Sequence, residues 1–187
     1  MLSKLEAAGG RLLISEPFLQ DPNFTRSVVL MTAHGEEGTF GFVLNQPSTF
    51  LLKDLVPDLW QANYPVFIGG PVEVDTIHFI HRCYDKLNSG EEIAKGIYWG
   101  GNFEALKILV NSHAIAQNEV KFFLGYSGWA DGQLQEEINE NTWIVSDKYH
   151  QDLVFSQNEE ELWKEVIINL GDKYAHISNF PTDPSLN

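Results

Sequence analysis

Ser127 stands in Gly125-Tyr126-Ser127-Gly128-Trp129, and a serine set among glycines is the first residue of this chain whose surroundings suggest chemistry. A nucleophile elbow needs glycine two residues before and two after the serine, because otherwise the strained strand-to-helix turn does not fit. Gly125 meets the first requirement, but Trp129 occupies the second position and Gly128 comes one residue early. A serine hydrolase is therefore disfavoured, and the glycines are read as devices for packing a strand closely against a helix. His78 and His81 form the next constellation. They are three apart in a β-like run, which sends them to opposite faces and makes them poor co-ligands for a metal. Satisfied structural histidines are the better reading. Cys83 follows His81 by two and shares its face if the strand continues, so the pair could activate a thiolate. A half-buried lone cysteine is the plainer reading. Any catalysis would use Ser127, His81 or Cys83 as nucleophile or base.

A second group of residues suits binding better than reaction. Gly69-Gly70-Pro71 and Gly100-Gly101-Asn102 could bring backbone close to a ligand or an anion, but both lack the Gly-Lys-Ser/Thr element of a phosphate loop. Arg26, at the head of an apolar run, could anchor a buried group or receive an anion. Asn45 precedes Gln46-Pro47 and organises a turn or offers an amide. If the glycine-rich strand ends converge, Arg26, Asn45, Gly69, Gly70, Trp129 and Gln133 line one surface. Arg26 would supply charge, Asn45 and Gln133 amide hydrogen bonds, and Trp129 a stacking face. An exposed Trp129 would instead suit an anchor for a protein partner. The plain alternative is that all six only hold the fold together.

The elements that must position these residues follow from periodicity. Residues 2–8 could form a short helix stopped by Gly9-Gly10. Arg11 to Ser15 and the nearly continuous apolar run Ser27 to Ala33 read as strands, the second buried on both faces. Gly35 to Gly38 is a turn joining that strand to Thr39 to Leu44 in a hairpin. Asn45 to Ser48 leads as a loop into a helical piece at Leu51 to Leu55, broken near Pro57. Pro65 to Ile68, Thr76 to Arg82, Ile93 to Trp99 and Val120 to Leu124 are further strands. The last enters a glycine turn with Trp129 at its tip and then a helix bearing Leu134 and Ile138. Asn102 caps a helix with Phe103, Leu106, Leu109, Val110 and His113 on one side. Asn158 and Glu161 read as a capping box for a helix carrying Leu162, Trp163, Val166, Ile167 and Leu170, stopped by Gly171. The order predicts an α+β fold, a single domain over 1–187 with a mixed or antiparallel coiled, barrel-like sheet flanked by helices and a loose tail at 179–187.

Bulk properties narrow the function. The 187 residues are 43% hydrophobic and 20% charged, as in ordinary globular proteins, but the net charge is −14. Residues 131–187 hold twelve acids and three lysines, so acidity concentrates in the last third. Such a surface repels phosphate backbones and disfavours direct nucleic-acid binding. The single cysteine excludes an intramolecular disulfide and a Cys-based zinc site. No signal-peptide core and no apolar run of about 20 residues is found. The expectation is an acidic cytoplasmic protein with no metal and no membrane span.

Several segments then fall together. Gly10-Arg-Leu-Leu-Ile-Ser-Glu-Pro17, Phe24-Thr-Arg-Ser-Val-Val29, Gly41-Phe-Val-Leu-Asn-Gln-Pro47, Gly69-Gly-Pro-Val72 and Gly125-Tyr-Ser-Gly-Trp-Ala-Asp-Gly-Gln-Leu134 resemble the bacterial AlgH/YqgE family in order and spacing, from about residue 9 to Trp143. Gln135 stands where the family usually has Glu, and Ala130-Asp131 replaces a common Gly-Pro. The resemblance implies a compact α+β fold with coiled, bifurcated sheets. It implies little about activity, although members are often labelled transcriptional regulators. The chain has no helix-turn-helix signature and no basic recognition helix, so a regulatory role is read as indirect. The resulting expectation is a non-enzymatic binding or regulatory protein without a cofactor, whose partner is a small ligand or another protein.

Overall fold

The computed structural model describes residues 5–180. Ten strands make one sheet system: β1 Leu12–Ser15, β2 Val28–Gly35, β3 Gly38–Val43, β4 Pro47–Leu51, β5 Pro65–Ile68, β6 Val72–His81, β7 Glu91–Ala94, β8 Ile97–Trp99, β9 Val120–Trp129 and β10 Trp143–Ser146. Across the sheet the order is β10-β1-β2-β3-β9-β6-β8-β7, so it ends on β10 and β7 and does not close into a barrel. All pairs are antiparallel except β5 with β9. The helices are α1 Leu52–Leu55, α2 Tyr84–Leu87, α3 Phe103–Asn111, α4 Gln133–Asn139, α5 Gln151–Val154, α6 Glu159–Asn169 and α7 Asp172–Ala175. The fold is α+β, as the element order predicts.

Strands β1 and β2 read as unbroken apolar runs because both of their faces are covered. Leu12, Ile14, Val28 and Leu30 pack under α6, whose Leu162, Trp163, Val166 and Ile167 form its apolar stripe. On the opposite face, Leu13, Val29 and Met31 pack with Trp129, Trp143 and the Leu134 and Ile138 pair of α4. A third cluster joins Phe79, Phe122 and Leu124 to Leu106 and Val110 of α3 and to Leu52. Alternating side chains of the same strands thus serve different layers.

Strand β9 forks the sheet. One of its edges pairs with β6; the other is shared, β5 taking Phe122 to Leu124 and β3 taking Ser127 to Trp129. Gly69 sits in the fork. Its N–H donates to the Leu124 carbonyl at 2.8 Å, and its carbonyl accepts from the Val43 N–H at 2.9 Å and from Ser127 Oγ at 2.9 Å. Three backbones converge there, and a Cβ on Gly69 would lie 2.4 Å from the Gly125 carbonyl oxygen. Gly125 itself, at φ 65°, faces the Gly70 and Val72 carbonyls at 2.7 Å from where a Cβ would stand. Glycine is required here by space as well as by conformation.

Five expectations are corrected. Residues 5–8 are not helical, and residues 2–4 of that prediction lie outside the described residues. The Asn45 to Ser48 loop gives way to β4 at Pro47, a short strand paired with β5. The Ile93 to Trp99 run is two strands, folded back at Lys95-Gly96. Trp129 is the last residue of β9, because the strand runs on through Gly125 without ending; the turn falls at Ala130 to Gly132. Asn158 makes no side-chain cap, and its N–H instead donates to Ser156 Oγ at 3.1 Å. By contrast Asn102 caps α3 by accepting from the Ala105 N–H at 3.0 Å. Of the tail predicted to be loose, Asn179 closes a 3-10 turn and Phe180 stacks on Phe18; the remainder lies outside the described residues.

The fork generates a prediction. Gly69→Ala should destabilise the protein by about 1–3 kcal/mol, the usual range for forcing atoms into a filled space. Gly35→Ala has no atom within 4 Å of the new Cβ and should change stability by less than about 0.5 kcal/mol. Urea unfolding midpoints compare the two; equal midpoints would remove the packing argument.

Candidate functional site

The six residues expected on one surface are divided by the sheet. The Arg26 guanidinium lies over the Trp163 ring at 4.9 Å and donates to the Phe180 carbonyl, on the face covered by α6. Its own backbone is left-handed, φ 48°. Asn45 holds that corner: its Oδ1 accepts from the Val28 N–H and its Nδ2 donates to the Arg26 carbonyl, both at 2.9 Å. Burial pulls the Arg26 guanidinium below its ordinary value. Gly69 and Gly70 belong to the fork of β9. Trp129 and Gln133 lie on the opposite face, in a different cluster from Trp163.

Trp129 and Gln133 do meet, through Glu137. Glu137 Oε2 accepts from the Trp129 indole N–H at 2.9 Å and the Trp143 indole N–H at 2.7 Å, while Oε1 accepts from Gln133 Nε2 at 2.9 Å. Phe24 stacks on Trp129 and meets Trp143 edge-on. These groups border a depression of about 270 Å³ together with Asp21 and Pro71. Trp129 is only 4% exposed, so its indole is an internal strut there, neither a stacking platform nor a free anchor.

The nucleophile candidates are closed in. Ser127 is fully buried and its hydroxyl is spent on the Gly69 carbonyl. Cys83 Sγ lies 3.7 Å from His81 Nδ1, and both residues are buried. Burial pushes the Cys83 thiol up to about 11, with Glu119 adding to the rise. Burial also pushes His81 down; backbone groups of Ser89 and Gly100 oppose that shift without reaching hydrogen-bonding geometry at Nε2. A thiolate–imidazolium pair needs the opposite shifts. The two histidines do fall on opposite faces, as their spacing predicts: His78 against Phe42, His81 against Tyr98. The expectation that they are satisfied is corrected, because Nε2 of each is buried without a hydrogen-bond partner among the described residues.

His78 lines the feature that sequence reasoning missed. A cavity of about 200 Å³ is walled by Thr32, Phe40, Phe42, His78, Trp99 and Tyr126. Its rings stand at varied angles: Phe42 and Trp99 at 61°, Phe40 and Tyr126 at 49°, His78 and Tyr126 at 86°. Backbone irregularities border it. Thr32 is the extra residue of a β-bulge, since Met31 pairs with Gly41 and Ala33 with Phe40. Beside Tyr126, the pairing of β6 with β9 shifts between Val72 and Ile77 at Gly125. Bulges re-aim side chains, and they gather beside functional sites. Burial holds His78 below its ordinary value, with Glu73 opposing. The imidazole is thus neutral at neutral pH, with one donor and one acceptor nitrogen.

Lys121 is a second residue not singled out from the sequence. It is 1% exposed, donates to the Ser156 carbonyl at 2.8 Å and sits 4.1 Å from the centre of the Phe67 ring. Burial lowers its amine to about 7, opposed by Glu159. The available signal is a lone charge inside Val-Lys-Phe-Phe-Leu, a run apolar enough to be buried on both faces. Among the described residues no cluster of three or more His, Cys, Asp or Glu could hold a metal, and no helix is long and apolar enough to cross a membrane.

The sheet is open and forked, and Ser127 and Cys83 are enclosed within it. A family model, DUF179, described as AlgH-like, matches residues 12–175, and the chain belongs to that family. It is 39% identical over 178 residues to UPF0301 protein CT0663 of Chlorobaculum tepidum, covering 95% of each chain. It is 40% identical over 179 residues to UPF0301 protein BF2109 of Bacteroides fragilis, covering 95% of this chain and 90% of that one. Two solved structures share the fold. The crystal structure of protein DIP2367 from Corynebacterium diphtheriae matches with a TM-score of 0.76 at 24% identity, covering 95% of both chains. The solution structure of the AlgH protein from Pseudomonas aeruginosa matches with a TM-score of 0.72 at 23% identity, covering 96% of this chain and 98% of that one.

Two predictions follow from the buried groups. Lys121 binds its proton more weakly folded, near 7, than unfolded, near 10.5. Between those values the unfolded state holds more protons, so the Lys121 contribution to stability rises with pH, by at most about 1.4 kcal/mol per pH unit. Lys121→Met should flatten this rise in urea titrations from pH 7 to 10.5. An unchanged slope would contradict a buried titrating amine. Glu137→Leu leaves two indole N–H groups without their acceptor and should cost about 2–6 kcal/mol, at about 1–3 kcal/mol per stranded donor. A thermal midpoint equal to wild type would show that water replaces the carboxylate.

Proposed function

We propose that this chain is a non-enzymatic binding protein whose ligand site is the aromatic cavity framed by β2, β3, β6, β8 and β9. The observation that carries this reading is the cavity itself, about 200 Å³ with walls of Thr32, Phe40, Phe42, His78, Trp99 and Tyr126. Ligand sites combine apolar and aromatic walls with a few placed polar groups. Catalysis has less support, since Ser127 is spent on a backbone carbonyl and the thiol of Cys83 is held protonated. A net charge of −14 argues against phosphate-backbone partners. Regulation, in this reading, is indirect: ligand occupancy alters what another protein meets at the surface.

Trp99 offers a direct readout, because its indole is part of the wall. A saturable change in tryptophan emission on titration with small aromatic compounds is expected in wild type, together with a raised melting temperature. A ligand at 100 times its dissociation constant adds about 2.7 kcal/mol. Phe40→Ala, which opens one wall, should weaken binding by up to about tenfold, since an aromatic pair is worth about 0.5–1.5 kcal/mol beyond its buried area. Emission that shifts equally in wild type and Phe40→Ala would place the binding elsewhere. No saturable binding at all would leave the cavity as a packing gap.

A second reading, a protein–protein module, is favoured by one observation. Trp60, next to the Pro57–Leu59 turn, is 71% exposed, and exposed tryptophans are common interface anchors. If Trp60 is such an anchor, Trp60→Ser should abolish co-purification of a cell-extract partner while leaving stability within about 0.5 kcal/mol of wild type.

A further inference from the structure

We propose that the cavity takes an uncharged aromatic hydrocarbon of a single ring, free of hydrogen-bonding groups, and rejects its polar and charged analogues. This rests on the binding reading above and gives it a ligand class.

The chemistry of the wall sets the polarity. The surface turned to the cavity is carbon almost throughout. Two polar groups of the lining residues are committed elsewhere. The Thr32 hydroxyl donates to the Phe40 carbonyl at 3.3 Å, and His78 Nε2 is closed off inside the protein. A hydroxyl, amide or ring N–H on a guest would shed its water and gain no partner, which is costly. No lysine, arginine, aspartate or glutamate is among the six lining residues. A guest charge of either sign would therefore be buried without a counter-charge, at a still greater cost.

Volume sets the size. An apolar cavity of about 150 Å³ accommodates benzene, and drug-sized pockets begin near 300 Å³. At about 200 Å³ this cavity lies between them, which suits one ring with a short alkyl substituent. It is also within reach of solvent. Thr32 and Phe42 are buried, but Phe40, His78, Trp99 and Tyr126 each keep part of their surface exposed, and the cavity is partly open. A guest can enter without the sheet unfolding.

Ring geometry favours an aromatic guest. Phe42 is stacked against Phe123 with centroids 4.8 Å apart, so one of its faces is taken and the other is left. Phe40 meets Tyr126 at 49°, and Phe42 meets Trp99 at 61°. Walls set at such angles present ring faces as well as ring edges, the two surfaces against which an aromatic ring packs best. An aliphatic ring of equal volume gains the apolar burial without those contacts.

Toluene and phenol test this, being close in size and differing by a methyl group against a hydroxyl. Calorimetric titrations are expected to show saturable toluene binding, about tenfold or more tighter than phenol, the scale of one buried hydroxyl without a partner. Benzoate and benzylammonium should show no saturable binding. Proton NMR locates the guest: the toluene methyl should show Overhauser contacts to ring protons of Phe40, Trp99 and Tyr126. Thr32→Met, which places a longer side chain at the wall, should weaken toluene binding by at least about tenfold. Should that variant fold poorly, the wild-type Overhauser contacts locate the guest alone. Phenol binding as tightly as toluene would overturn the apolar selectivity and leave the binding reading intact. Methylcyclohexane binding as tightly as toluene would overturn the aromatic preference alone. Toluene failing to bind where more polar aromatic compounds succeed would overturn the ligand class but not the binding reading. Toluene contacts confined to other residues, or no binding by any compound, would overturn both.

Discussion

The convergence of three strands on Gly69 is the constraint on which the rest of this molecule depends. One edge of β9 serves both β3 and β5, so the backbone must change partners within a few residues. Gly69 bridges the change with a donor to Leu124 and a carbonyl shared by Val43 and Ser127. No side chain fits between those backbones. The serine that looks like a nucleophile is part of this junction, where its hydroxyl supplies the hydrogen bond that the diverging ladders leave unmade.

The fork also explains why a cavity exists. A regular sheet would bring Phe40, Phe42, His78 and Tyr126 into even rows, and even rows pack without a gap. Here β3 leaves β9 on one side while β6 detours on the other, and the bulge at Thr32 kinks β2 behind them. The rings therefore tilt against one another at angles from 43° to 86°. Close packing tolerates few voids of this size in so small a chain, and this one lies where the ladder is least regular.

Much of the fold is legible in the sequence. The runs at Arg11 to Ser15, Ser27 to Ala33 and Pro65 to Ile68, the hairpin at Gly35 to Gly38, and the stripe of Leu162, Trp163, Val166 and Ile167 all follow from local periodicity. The misses have local causes too. Pro47 hides β4, because a proline reads as a loop until an edge position excuses its missing N–H. Gly125 reads as a strand end, because a left-handed residue inside a paired strand is visible only once its neighbours are known. The site was less legible. Arg26, Asn45, Gly69, Gly70, Trp129 and Gln133 carry unusual types in unusual places, yet the bonds they make are to backbone N–H and carbonyl groups, the Ser127 hydroxyl and the Glu137 carboxylate. The cavity residues Phe40, Phe42, Trp99 and Tyr126 look like ordinary core in a linear reading. Only the pairing of distant strands turns them toward one point.

The carbonyl of Ser15 accepts a hydrogen bond from the Trp163 indole at 3.0 Å, across 148 residues of chain. Arg26 reaches Phe180 over a still longer separation, and the Tyr149 hydroxyl returns to the Gly10 carbonyl. The first two strands are thus roofed by helices synthesised long after them. At about 5–20 residues per second a ribosome needs roughly 7–30 s to make the span from Ser15 to Trp163. Throughout that interval Leu12, Ile14, Val28 and Leu30 lack the cover that α6 provides. The nascent chain must therefore hold an adhesive apolar surface open until its acidic final third emerges, which makes this fold a natural client for whatever shields nascent chains at the exit tunnel.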